Sequence, residues 1–96
     1  MPAVTRIGDA DVVHCSQPFR AQGSDNVFCN GISVSRQGDL NTVHVLPGAP
    51  CPPHVAPIAV GSTSVFINGK GCGRIGDSIT ACTSVAAGSP NVFAGG

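Results

Sequence analysis

One motif occurs three times in this chain, and its copies are not laid end to end. Thr5-Arg6-Ile7-Gly8-Asp9 runs on to His14, Ser35-Arg36-Gln37-Gly38-Asp39 to His44, and Gly73-Arg74-Ile75-Gly76-Asp77 to Cys82. Each copy is Arg-x-Gly-Asp, followed five residues after the aspartate by a side chain able to bind a metal. A second unit precedes two of the copies. Gly23-Ser24-Asp25-Asn26-Val27-Phe28-Cys29-Asn30-Gly31 matches Gly61-Ser62-Thr63-Ser64-Val65-Phe66-Ile67-Asn68-Gly69. The third occurrence, Gly88-Ser89-Pro90-Asn91-Val92-Phe93-Ala94-Gly95-Gly96, closes the chain, while the half that should follow it opens the chain. A repeat split this way requires the two termini to meet. Three copies that close on themselves predict a pseudo-threefold object rather than an open solenoid.

The residues between the motifs set the local structure. Val-Phe-x-Asn-Gly is an extended apolar pair followed by a strong hairpin signal, because Asn and Gly both tolerate positive φ. Gly-Asp marks a second turn, whose carboxylate can accept backbone N–H groups. The arginine two residues before Gly-Asp either pairs with a carboxylate or caps carbonyls, or is a solvated charge at a strand end. Twelve valines and six isoleucines stand against two leucines, and 13 glycines and eight prolines interrupt any longer element. The expected fold is therefore all-β: one small domain over residues 1–96, built from short strands and hairpins.

Such a chain has a thin core and needs a staple, whether disulfide, metal or oligomer. Its cysteines, Cys15, Cys29, Cys51, Cys72 and Cys82, are odd in number, which suits a full disulfide framework poorly. A reducing cytosol would keep them as thiols or metal ligands. His14, His44 and Cys82 occupy equivalent repeat positions, so threefold closure would bring them around one axis. The remaining histidine lies in an insertion. Asp9 and Asp39 are 30 residues apart but Asp39 and Asp77 are 38, and the extra length falls in 45–57, where five prolines predict a stiff, polyproline-like excursion. From there His54 would supply a fourth ligand. Three imidazoles and a thiolate form a closed tetrahedral set suited to structural zinc. The rival is Cys51, since Cys51-Pro-Pro-His54 has the close spacing of a ligand pair.

Other functions fit less well. Five basic and five acidic residues give zero net charge, and four scattered arginines make no nucleic-acid surface. No apolar run approaches the roughly 20 residues of a membrane helix, and the first residues lack a signal-peptide layout. Hydrolytic zinc needs an open coordination position and usually a carboxylate base. A closed His/Cys set leaves no opening and the chain has no glutamate, so no catalytic residues are expected. His14-Cys15 is a poor nucleophile–base pair, because neighbours on a strand face opposite ways. Gly71-Cys72-Gly73-Arg74-Ile75-Gly76 matches the dinucleotide pattern by letter only, with no helical pattern after it.

The repeated Gly-Ser-Pro-Asn-Val-Phe, Asn-Gly and Arg-x-Gly-Asp elements, in register over nearly the whole chain, resemble the PAAR-repeat family. These proteins are the tips of type VI secretion spikes and of the spikes of contractile-tailed phages. The tetrapeptide that names the family is altered to Ala3-Val4-Thr5-Arg6, Ser33-Val34-Ser35-Arg36 and Gly71-Cys72-Gly73-Arg74, where only the arginine persists. The resemblance implies a conical fold that caps a trimeric β-helical spike, one tip per trimer, with a zinc ion near the vertex. It implies assembly in the cytoplasm, then delivery outside the producing cell at the tip of the apparatus, puncturing membranes without residing in them. Relatives often carry fused toxin domains. This chain looks like a stand-alone tip, with effector cargo a further partner. A free-standing zinc-binding adaptor, linking cargo to a secretion apparatus, is the alternative reading. In either case one member of each Val27-Phe28, Val65-Phe66 and Val92-Phe93 pair is expected to face the core.

Overall fold

A computed structural model describes residues 1–46 and 51–96. Its strands are β1 (Phe28–Cys29), β2 (Ile32–Ser33), β3 (His44–Leu46), β4 (Cys51–His54), β5 (Phe66–Ile67) and β6 (Lys70–Gly71). They pair as three antiparallel hairpins, β1–β2, β3–β4 and β5–β6. No helix occurs among the described residues. The protein is all-β, as its composition predicts.

The hairpins are joined by rings that pass once through each repeat. In the first ring Arg6 bridges Val34, Arg36 bridges Cys72, and Arg74 bridges Val4. Within it, the amide of Thr5 donates to the Gly73 carbonyl (3.0 Å), that of Gly73 to Ser35 (2.9 Å) and that of Ser35 to Thr5 (3.1 Å). These three bonds form a closed cycle, the backbone signature of a pseudo-threefold axis. Room at that axis is scarce. A Cβ on Gly73 would lie 2.6 Å from the Ser35 carbonyl oxygen and 2.9 Å from a Thr5 methyl. In the second ring Arg20 bridges Asn41, Ile58 bridges Ile79, and Val85 bridges Asp11.

The termini meet as the split repeat requires. Ala3 bridges Phe93, and the Val4 and Ala94 amides donate to the carbonyls of Val92 and Pro2. Gly95 stands where the other copies carry Asn30 and Asn68. Its backbone carbonyl accepts from Arg74 Nη1 (2.9 Å) and from the Ser62 hydroxyl. The Asn30 and Asn68 carboxamides accept the matching bonds from Arg6 and Ser89, and from Arg36 and Ser24.

Both turn types follow their sequences. Asn30-Gly31 and Asn68-Gly69 take φ between 55° and 78° and close two-residue hairpins. Gly8, Gly38 and Gly76, at φ near 90°, occupy the Arg-x-Gly-Asp turns. There each aspartate takes its own arginine in a two-pronged ion pair, Arg6–Asp9, Arg36–Asp39 and Arg74–Asp77, and also accepts the arginine amide. Donating to the aspartate holds each guanidinium above its ordinary pKa. These arginines are structural clamps, not solvated strand-end charges.

One local expectation needs correcting. The proline-rich insertion is not a polyproline excursion at its described ends. It folds back as β3–β4, with His44 directly opposite His54 and an irregular register between His44 and Leu46. Pro52 and Pro53 lack amide donors, which confines them to a short strand that needs few ladder bonds. Residues 47–50, with Pro47 and Pro50, lie outside the described residues.

Candidate metal centre

Beyond the second ring the three repeats make excursions of different length, from Asp11 to Arg20, Asn41 to Ile58 and Ile79 to Val85. Each carries ligand-type side chains to one place. His14 sits in a tight reversal where His14 and Ser16 exchange backbone hydrogen bonds of 3.2 and 2.8 Å. His44 and His54 are cross-strand partners on β3 and β4. Cys82 closes a turn in which its amide donates to the Ile79 carbonyl (3.1 Å), with Ala81 at φ 50°.

The four side chains that sequence reasoning singled out converge. One ligand atom from each of His14, His44, His54 and Cys82 lies within 4.8 Å of every other. His44 Nε2 is 3.2 Å from Cys82 Sγ and His54 Nε2 is 3.7 Å from it. A tetrahedral ion bound at about 2.0 Å to nitrogen and 2.3 Å to sulfur would set N and S about 3.5 Å apart. The imidazoles pack at centroid distances of 4.0 to 5.4 Å with steep interplanar angles, so they point at a common centre rather than stack.

The outer partners fix how two of the rings are protonated. His44 Nδ1 lies 2.9 Å from the Thr42 carbonyl and His54 Nδ1 lies 2.8 Å from the Pro52 carbonyl. A carbonyl can only accept, so each Nδ1 carries the proton and each Nε2 turns its lone pair toward Cys82. The pattern repeats because each carbonyl lies two residues before its histidine. Burial pushes the Cys82 thiol pKa up, while a hydrogen bond from Asn41 opposes the shift. A bound cation would remove that proton outright. The donor set suits a metal ion that accepts nitrogen and thiolate, and the four groups account for a full tetrahedral shell. The side chain of Cys51, the rival ligand, lies outside what the structure describes. Cys29, Cys72 and Cys82 are free thiols, whereas Cys15 is disulfide-bonded, at variance with the reducing-cytosol expectation.

Two apolar clusters flank the arginine turns. Ala56, Ile58, Ile79 and Val85 pack under Cys82. On the other side Val4, Cys29, Val34, Cys72 and Ala94 form the floor of the hairpins, with Val27 and Ile67 against them. Of each Val-Phe pair the phenylalanine faces out, with Phe28 58%, Phe66 59% and Phe93 50% exposed. Val65 and Val92 are exposed as well, so the expected core-facing member is missing from those two pairs, and the inward positions go to the following residues, Cys29, Ile67 and Ala94. A hollow of about 280 Å³ opens between these elements, lined by Val27, Phe28, Val65, Ile67, Val92 and Phe93 among others. Sequence reasoning missed the serine of Gly-Ser. Ser24, Ser62 and Ser89 each accept two amides just downstream, at 2.9–3.2 Å. Its repetition was the available signal.

No family model matches the chain, and no curated protein matches it.

Proposed function

We propose that this protein is a structural tip: a monomer that caps a trimeric β-helical spike of a contractile injection apparatus and aids puncture of a target envelope. The observation that carries the reading is symmetry. One chain closes a pseudo-threefold ring of backbone hydrogen bonds between Thr5, Ser35 and Gly73, and three repeat-equivalent phenylalanines stand exposed on one side of it. A trimer ends in three related edges, so a monomer with three similar edges caps it without a symmetry mismatch. The ion held by His14, His44, His54 and Cys82 is zinc, serving as a structural staple rather than a catalyst. A structural zinc in a small domain contributes several kcal/mol of folding energy.

Burying the three phenylalanines contributes at about 25 cal/mol per Å² before association costs. With so little charge nearby, the complex is expected to persist at high salt. Light scattering on a mixture with a spike trimer from the same source tests this. The expected result is one tip per trimer at both low and 1 M salt. Three tips per trimer, or no complex at either salt, would contradict the reading.

A further inference from the structure

The second ring carries a feature that packing does not require. Its six positions, two per repeat, are Asp11 and Arg20, Asn41 and Ile58, Ile79 and Val85. Three are aliphatic and three are polar, and all are buried. Arg20 and Asp11 form an ion pair with both side chains at 0% exposure. Removing two charges from water costs as much as their attraction returns, and apolar replacements of such pairs are commonly neutral or stabilising. Ile58, Ile79 and Val85 show that the ring accepts aliphatics at the equivalent places. Stability alone therefore does not explain the charges.

The hydrogen bonds show what the charges hold. Arg20 Nε and Nη2 grip both oxygens of Asp11 at 3.0 and 2.8 Å, and Nη1 donates to the Asp39 carbonyl. Asp11 Oδ2 in turn accepts from Asn41 Nδ2 at 3.2 Å, while Asn41 Oδ1 accepts the Ala56 amide at 2.9 Å. These two bonds fix which end of the carboxamide is nitrogen. Asn41 thus lies three residues before His44 and is bonded two residues after His54.

We propose that Asn41, anchored by the Asp11–Arg20 pair, is a positioning residue of the metal centre: its carboxamide, bonded to the Ala56 amide, holds the β3–β4 ligands in register. The proposal rests on the metal-centre reading above. Loss of outer partners that orient metal ligands typically lowers metal affinity 10–100-fold.

Cobalt(II) titration followed by absorption tests both levels. Wild-type protein is expected to bind one equivalent with a thiolate-to-cobalt charge-transfer band. Asn41→Leu, which removes the carboxamide at similar volume, is expected to shift that band and weaken binding about 10–100-fold. The double variant D11I/R20I, which frees the carboxamide by installing aliphatics like those elsewhere in the ring, is expected to do the same and decides the matter if Asn41→Leu does not fold. A role in packing alone would change the melting temperature of the metal-free protein and leave the band in place. Band position and affinity within twofold of wild type would overturn the proposal. No cobalt binding by the wild type would overturn the metal reading itself.

Discussion

The chemistry shared by the three repeats resides in single side chains that each satisfy several partners. Asp9, Asp39 and Asp77 bind the amide and guanidinium of the arginine three residues earlier, so one carboxylate closes the turn and neutralises the charge above it. Where repeats differ, the axis records it. Val4, Val34 and Cys72 are equivalent, and Cys72 is the member that can ionise. Desolvation by burial pushes its pKa up to about 11. A folded-state pKa above the unfolded one means that the protonated thiol's contribution is complete below the unfolded value, near 9. It is lost as pH rises through about 11. Cys72→Val, which installs the residue of the other two repeats, is expected to flatten this alkaline decline. Thermal melts of both proteins from pH 8 to 11 check it; parallel declines would contradict the assignment.

At the scale of elements, much was legible in sequence. Asn-Gly announced the two β-hairpins, and the shared offset from Asp to His14, His44 and Cys82 announced three of the four side chains that converge, because both signals are local and repeated. His54 was legible only through the odd length of its segment. Its cross-strand pairing with His44 was not, because five prolines argue for an extended excursion, whereas Pro52 and Pro53 lie in a strand paired back onto β3. The Asp11–Arg20–Asn41 network was invisible for a related reason: its members are not repeat-equivalent in type, so no periodicity marks them. The clearest element-level prediction concerns the ring. Gly73→Ala places a Cβ against the Ser35 carbonyl, and backbone has nowhere to yield without opening the cycle. A loss of about 1–3 kcal/mol is expected in denaturant unfolding. An unchanged midpoint would mean that the axis is looser than the ring of hydrogen bonds requires.

For the whole molecule the governing fact is a core too thin to stand by itself. The described residues divide their buried aliphatics between two small clusters, separated by turns rich in hydrogen bonds and ion pairs. The molecule extends 40 × 23 × 21 Å, a long shape for a chain of 96 residues, and length costs core. The three excursions beyond the second ring are joined by scattered hydrogen bonds, such as Thr42 to Phe19 and Val12 to Ser84, and bring His14, His44, His54 and Cys82 together. On the proposed reading a metal there would act as the missing core for that end, and a partner would cover the exposed phenylalanines at the hairpins. The proposed ion is therefore the first thing to test. Native mass spectrometry of protein purified without added metal measures it directly, with Cys82→Ser as the comparison. One zinc per wild-type chain and none in the variant is the predicted result. A metal-free wild type, or a full complement of zinc in Cys82→Ser, would contradict it.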